Sequence, residues 1–249
     1  MGTKTIRQRG DRVSILGVPV DRMGFSSVLD LLDRFIQEQV PHMVVTADAS
    51  GIVAAQKDAE FREILKRADL VTPDSEGVLW AAKRQGKPIP ERVSGVDLVD
   101  HLCAMSAQKG YRVFFLGAAP GVAEMAAERM RLRHPGCHIV GTRHGYFPED
   151  SNEIVAHEIA EAKPDILFVA MGIPRQEKFI YRTMKIIKAS VAIGVGGSFD
   201  VFSGKTKRAP QVVQKMKLEW LWRLLLNPKK LAKAKALPVF VLRVIGSKR

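Results

Sequence analysis

Residues Ile166 to Gly197 read ILFVAMGIPRQEKFIYRTMKIIKASVAIGVGG. The stretch opens on an unbroken apolar run, Ile166–Met171, and turns at Gly172-Ile-Pro174. It continues as a longer mixed segment, Gln176–Lys188, and closes on a second apolar run, Val191–Gly194. Short runs rich in β-branched residues flanking a segment of helical period predict strand, helix, strand. Strands without polar alternation are covered on both faces, as in a parallel sheet whose crossovers are helices.

The alternation extends in both directions. Further strands are expected at Val13–Val18, Met43–Thr46, Leu70–Thr72, Val113–Gly117 and His138–Gly141. Helices are expected at Gly24–Gln39, Ala49–Ala68, Asp74–Gln85, Val96–Lys109, Gly121–His134 and Ser151–Ala162. Leu29, Leu32, Phe35 and Ile36, and again Leu98, Leu102 and Met105, have the spacing of one helix face. The predicted class is α/β, a mostly parallel sheet with helices on both faces. The 249 residues, 46% hydrophobic and 26% charged, exclude a disordered chain and suit one large domain with a small appendage.

Charge sharpens that division. The net charge is +13, yet 13 Lys and Arg against one acid, Glu219, lie between Lys205 and Arg249. The rest is nearly neutral. Gln211–Leu226 reads as an amphipathic helix carrying Trp220 and Trp222 and stopped by Asn227-Pro228; Lys229–Leu237 then alternates basic and apolar residues. A boundary near Pro210 separates a body, 1–209, from a basic helical appendage, 210–249, and deleting Pro228–Arg249 is expected to leave the body folded. Such a tail calls for an anionic partner: phosphates, nucleic acid or an anionic membrane. Cys103 and Cys137 have no CxxC spacing, the N-terminus has no apolar core of a signal peptide, and no apolar run reaches the ~20 residues of a membrane span. A cytoplasmic setting is expected.

Open α/β sheets bind ligands at the carboxyl ends of their strands. Those ends carry Thr46-Ala-Asp48, Thr72-Pro-Asp74, Gly117-Ala-Ala-Pro-Gly121, Met171-Gly172-Ile-Pro174 and Gly194-Val-Gly196-Gly197. On the glycines alone, 194–197 reads first as a tight turn; Gly204-Lys-Thr-Lys-Arg208 immediately after it favours a diphosphate cradle. Gly117–Gly121 lacks GxGxxG spacing and reads as an ordinary strand-to-helix turn, which disfavours a nicotinamide-dependent oxidoreductase. Asp74 fits either a helix N-cap or a general base, with Asp48 and Glu76 as rival carboxylates. Pro174 and Glu177 have the chemistry of a helix start, and surface roles are the default for Arg92 and Arg175. The six histidines show no metal-ligand spacing and Asp-x-Asp is absent, so no metal is expected.

As a set, Thr72-Pro-Asp74, Glu91-Arg92-Val-Ser-Gly95, Gly172-x-Pro174-x-Gln176-Glu177, Gly194-Val-Gly-Gly-Ser-Phe-Asp200 with Gly204…Arg208-Ala-Pro210, and Glu219-Trp220-Leu-Trp-Arg223 resemble the WecG/TagA/CpsF glycosyltransferases, in the family's order from about Val13 to Phe240. The resemblance implies a Rossmann-like domain with a C-terminal appendage that docks on the membrane. It implies an inverting, metal-independent transfer of N-acetylmannosamine, its uronic acid or a related hexose from a UDP-sugar, with no cofactor. The implied acceptor is polyprenyl-diphosphate-linked N-acetylglucosamine at the inner membrane face, in teichoic acid, common antigen or capsule synthesis. By the same resemblance Asp74 matches the general base, Thr46 and Gln176 match active-site polar residues, and Asp48, Arg92, Gly172, Pro174, Gly196, Gly197, Arg208 and Arg223 stand at expected substrate-binding positions. Two positions depart from the pattern: Asp48 stands where the family usually has Asn, and Ser75 where it usually has Gly. A homo-oligomer is compatible with the sequence. The competing reading, an α/β protein that binds nucleic acid through its tail, has the charge but no RNA-module signature.

Overall fold

The computed structural model describes residues 11–207, 209–210, 213, 222 and 231–247. The chain opens with β1 (Arg12–Ile15), β2 (Val18–Asp21), α1 (Phe25–Glu38), β3 (His42–Ala47), α2 (Ala49–Ala55), α3 (Ala59–Arg67), β4 (Leu70–Pro73) and α4 (Glu76–Arg84). It continues through α5 (Gly95–Lys109), β5 (Arg112–Gly117), α6 (Val122–Arg133), β6 (His138–Arg143), α7 (Asn152–Glu161), β7 (Ile166–Ala170), α8 (Arg175–Ile187), β8 (Val191–Gly194) and α9 (Ser198–Phe202). The last described helix, α10, spans Leu231–Gly246.

Six strands form one parallel sheet in the order β4-β3-β8-β7-β5-β6. The α/β expectation holds, and the reason is visible in β7. All five of its residues are buried; Ile166, Phe168 and Ala170 enter one core layer, Leu167 and Val169 the other. The period-2 pleat thus divides an unbroken apolar run between two faces. The helices α1, α5, α6 and α9 cover the first face. The second lies under α2, α3, α4, α7, α8 and α10.

Two expected elements divide. Val13–Val18 is not one strand but a hairpin, β1 against β2, because Leu16 and Gly17 take φ of 49° and 80° and turn the chain in two residues. Buried Asp21 accepts the Val71 N–H of β4 at 2.7 Å and the Arg12 guanidinium at 2.8 Å, which fastens the hairpin beside the sheet. Ala49–Ala68 is two helices, because Asp58 caps a new one by accepting from Phe61 N–H at 2.9 Å.

A third difference concerns the tail. Apart from Val213 and Trp222, the helix expected at 211–226 lies outside the described residues, but α10 packs against α2 and α4. Phe240 is fully buried and Val244 nearly so, both within the core layer that α2 and α4 share. The boundary near Pro210 therefore marks a change of composition rather than the edge of the core. Cutting α10 away would uncover that layer, contrary to the expectation of an untouched body. Truncating one fully buried phenylalanine costs about 3–5 kcal/mol. Phe240→Ala should accordingly lower the thermal midpoint of the whole α/β body in a melt followed by far-UV circular dichroism, not merely loosen the last helix.

Candidate functional site

From β5 the chain leaves through α6 toward β6 on one face, whereas from β7 it leaves through α8 toward β8 on the other. Connections that part at neighbouring strand ends leave a crevice beyond them. A cleft of about 480 Å³ occupies that place. Its walls come from Ala118 and Ala119 after β5, Gly145 and Tyr146 after β6, Met171, Gly172 and Arg175 after β7, and Gly196, Gly197, Asp200, Lys205 and Thr206 after β8.

Backbone approach shapes the entrance. Gly117 has φ +130°, and a Cβ there would lie 2.5 Å from the carbonyl carbon and 2.7 Å from the amide nitrogen of Ala170. Ala118 N–H instead donates to the Ala170 carbonyl at 2.8 Å, and Gly145 N–H to the Ala118 carbonyl at 2.9 Å. The glycine that reads in sequence as an ordinary turn is thus required by two backbones in contact.

The floor is held from both sides of β8. Thr46 donates its hydroxyl to the Gly194 carbonyl at 2.7 Å from β3. From α8, the Gln176 carboxamide oxygen accepts Gly172 N–H at 3.2 Å and Gly196 N–H at 3.1 Å. Both side chains are buried, with 4% and 1% exposure, so in this structure they brace the glycine turns rather than face the cleft. Pro174 immediately precedes α8. One turn on, Lys178 Nζ meets Asp58 at 2.7 Å and Glu60 at 2.9 Å, holding α8 to α3 and keeping both carboxyls below their ordinary pKa.

Across β8 lies a second group. β3 and β4 pair up to Ala47 and Pro73, so Asp48 and Asp74 follow at adjacent strand ends, and Asp74 N–H donates to the Ala47 carbonyl at 2.8 Å. Both aspartates are half-buried. The Arg92 segment runs alongside: Val93 N–H donates to the Pro73 carbonyl at 2.9 Å, and Thr72 Oγ1 to the Val93 carbonyl at 3.3 Å. Two strand spacings, about 10 Å, separate β4 from β8.

Asp48 and Ser75, the two departures from the family pattern, serve one helix terminus. Asp48 Oδ1 accepts Gly51 N–H at 2.6 Å and the Ser50 hydroxyl at 2.7 Å, and Ser75 Oγ accepts Ala49 N–H at 3.2 Å. Together they satisfy donors at the start of α2.

The structure therefore gathers Asp74, Asp48 and Arg92 at one group of strand ends and Gly172, Gly196 and Gly197 at the cleft, with Thr46 and Gln176 between them. Arg208 and Arg223 lie outside the described residues. Sequence reasoning missed Tyr146, which is 67% exposed on the cleft wall, and assigned Arg175 to the surface. Arg175 lies over the Phe147 ring, 5.0 Å from its centroid, and its guanidinium donates to the Phe147 carbonyl. Tyr146 follows β6 directly after a glycine, yet an aromatic in a loop carries no signal until the sheet order places β6 beside β5. Among the described residues no cluster of three or more His, Cys, Asp or Glu could hold a metal ion.

The model of the glycosyl transferase WecG/TagA/CpsF family matches residues 13–249. An N-acetylglucosaminyldiphosphoundecaprenol N-acetyl-beta-D-mannosaminyltransferase of Bacillus spizizenii is 37% identical over 237 residues, covering 93% of this chain and 91% of that protein. Proteins of the same name from Bacillus subtilis strain 168 (32% identical, 95% and 92% covered) and Staphylococcus aureus strain NCTC 8325 (31%, 98% and 97%) are similar throughout. None of these names supports the nucleic-acid reading of the tail.

The close approach at Gly117 makes a direct prediction. In Gly117→Ala the new methyl meets backbone, which cannot rotate away, so strands β5 and β7 must part. A loss of about 2–4 kcal/mol in stability, read by urea unfolding, is expected, with the cleft opened at the same point.

Proposed function

Because the chain belongs to the WecG/TagA/CpsF family of glycosyltransferases, we propose that it moves N-acetylmannosamine from a UDP-sugar to N-acetylglucosaminyl-diphosphoundecaprenol. The acceptor and the sugar are those in the names of its relatives. The observation that carries the reading is the layout of two groups on either side of β8: a cleft suited to a nucleotide and a pair of carboxylates about two strand spacings away.

The cleft offers what a nucleoside diphosphate needs. The Tyr146 ring presents a face for a base, and the Asp200 carboxylate can accept from a base N–H. Lys205, Arg175 and the backbone around Gly196 and Gly197 lie where the phosphates would follow. From there the sugar extends along the end of β8 toward Asp74. In a single displacement the Asp74 carboxylate takes the proton of the acceptor hydroxyl, whose oxygen bonds to the anomeric carbon. The bond from that carbon to the diphosphate oxygen breaks, and its electron pair leaves with UDP. The anomeric carbon is inverted. The leaving charge is assigned to the cations and N–H groups of the cleft. Arg208 and Arg223 add to it by the family resemblance.

The lipid end of the acceptor points to α10. A Cβ on Gly77, three residues after Asp74, would contact Leu237 Cδ1 at 3.5 Å and Phe240 Cε1 at 3.6 Å, so α10 flanks the carboxylate group. Its outward positions Val239, Leu242 and Ile245 are 39%, 70% and 51% exposed and recur every three residues along one side. No described helix is long and apolar enough to cross a membrane. Peripheral contact of this apolar side with an anionic bilayer, aided by the basic tail, is the mode proposed.

Two outcomes test the proposal. Asp74→Asn should lower transfer to a short-chain lipid-linked N-acetylglucosamine by about 10²–10⁴-fold while UDP binding measured by calorimetry persists; normal turnover would remove Asp74 from the role of base. Leu242→Glu should reduce co-sedimentation with phosphatidylglycerol vesicles without shifting the thermal midpoint, and undiminished co-sedimentation would separate α10 from membrane contact.

A further inference from the structure

Two consecutive side chains at the start of α8 are as deeply buried as the apolar core: Gln176 is 1% exposed and Glu177 0%. A carboxylate so placed is costly unless hydrogen bonds answer it. Here Gln176 Nε2 donates to Glu177 Oε1 at 2.8 Å. The opposite atom, Gln176 Oε1, accepts from Gly172 N–H at 3.2 Å and from Gly196 N–H at 3.1 Å. Strand β8 is cut back to admit the pair, since a Cβ on Gly194 would lie 2.6 Å from Gln176 Nε2 and 3.0 Å from Glu177 Oε1.

A carboxamide has two faces, and only one suits this place. Turned over, it would set its NH2 against two N–H donors and its oxygen against a carboxylate. The glycine N–H groups favour one orientation, and the carboxylate, which can only accept, reinforces it. We propose that Glu177 is a positioning residue for the nucleotide: by accepting from Gln176 it fixes the carboxamide whose oxygen ties the Gly172 turn to the Gly196 turn. These turns supply the floor of the cleft, so Glu177 acts on the ligand through Gln176 and never touches it. The inference deepens the nucleotide reading of the cleft and rests on it for its functional consequence.

The test compares UDP affinity by calorimetry with hydrogen exchange at the Gly172 and Gly196 amides, in wild type and three variants. Glu177→Leu should weaken UDP binding by about tenfold or more, the scale of a lost buried hydrogen bond to a charged group, and should unprotect both amides. Glu177→Gln, whose carbonyl can still accept from Gln176, should stay within about threefold of wild type. Gln176→Glu replaces the donor by a group that donates only when protonated. Its UDP affinity relative to wild type should therefore rise as the pH is lowered from about 8 to about 5.5, toward the carboxyl's own range. A merely structural role would not move that pH profile. Normal UDP binding and protected amides in Glu177→Leu would overturn the proposal, as would a Gln176→Glu variant that follows the wild-type profile. A Glu177→Gln variant as impaired as Glu177→Leu would overturn it too, showing that the charge matters and not the orientation. If Glu177→Leu does not fold, the other two variants decide. If wild type binds no UDP, the nucleotide reading falls, while amide exchange still decides whether Glu177 holds the two turns.

Discussion

A parallel sheet must be covered on both faces, because each crossover returns the chain to the same end before the next strand begins. Six such strands, with β7 buried along its whole length, leave the strand ends as the open places of this body. The amino ends take the turns that close each crossover. The carboxyl ends are where helices leave in opposite directions, and the crevice opens where they part, between β5 and β7. The parts of the proposed reaction site lie along that one edge: the nucleotide cleft, the glycine turns beyond β7 and β8, and the carboxylates beyond β3 and β4.

That edge is held by short-range contacts that tolerate no extra atoms. Gly117 lies against the Ala170 backbone, and Gly194 makes room for Gln176 and Glu177. Thr46 and Gln176 approach the end of β8 from opposite sides, one from a neighbouring strand and one from a helix. Polar residues that the family resemblance marks as active-site residues are in this structure the braces of the backbone a ligand would meet. A site made of backbone N–H groups needs such braces, since glycine turns have no side chains of their own to pack.

The tail joins two kinds of information. Its excess charge suits the anionic partner proposed for it, and its apolar residues divide between inward and outward positions of α10. Phe240 and Val244 enter the core while Leu242 and Ile245 remain outside. The same helix completes the body and presents an apolar surface near Asp74, the side on which the proposed reading puts the lipid end of the acceptor.

Much of the architecture was legible in the residues themselves. Continuous apolar runs at 166–171 and 191–194 carry the parallel sheet, because a strand buried on both faces admits no polar position. The strand ends with glycine or aspartate carry the proposed site, because ligand-facing turns need small residues and the proposed chemistry needs a carboxylate. Local turn geometry was not legible: Leu16-Gly17 splits a run into a hairpin, and Asp58 splits a helix, since a run of suitable residues has no means of showing where a cap will form. Sheet order, β4-β3-β8-β7-β5-β6, was not legible either. That order brings Tyr146 beside the turn after β7, sets Asp48 and Asp74 side by side, and turns Gln176 inward to the glycines. The sequence by itself determined which residues could be strand, helix, turn or acid, since those depend on neighbours a few positions away. Only the tertiary structure decided which of them meet, because contacts between strands distant along the chain depend on the path of every crossover between them.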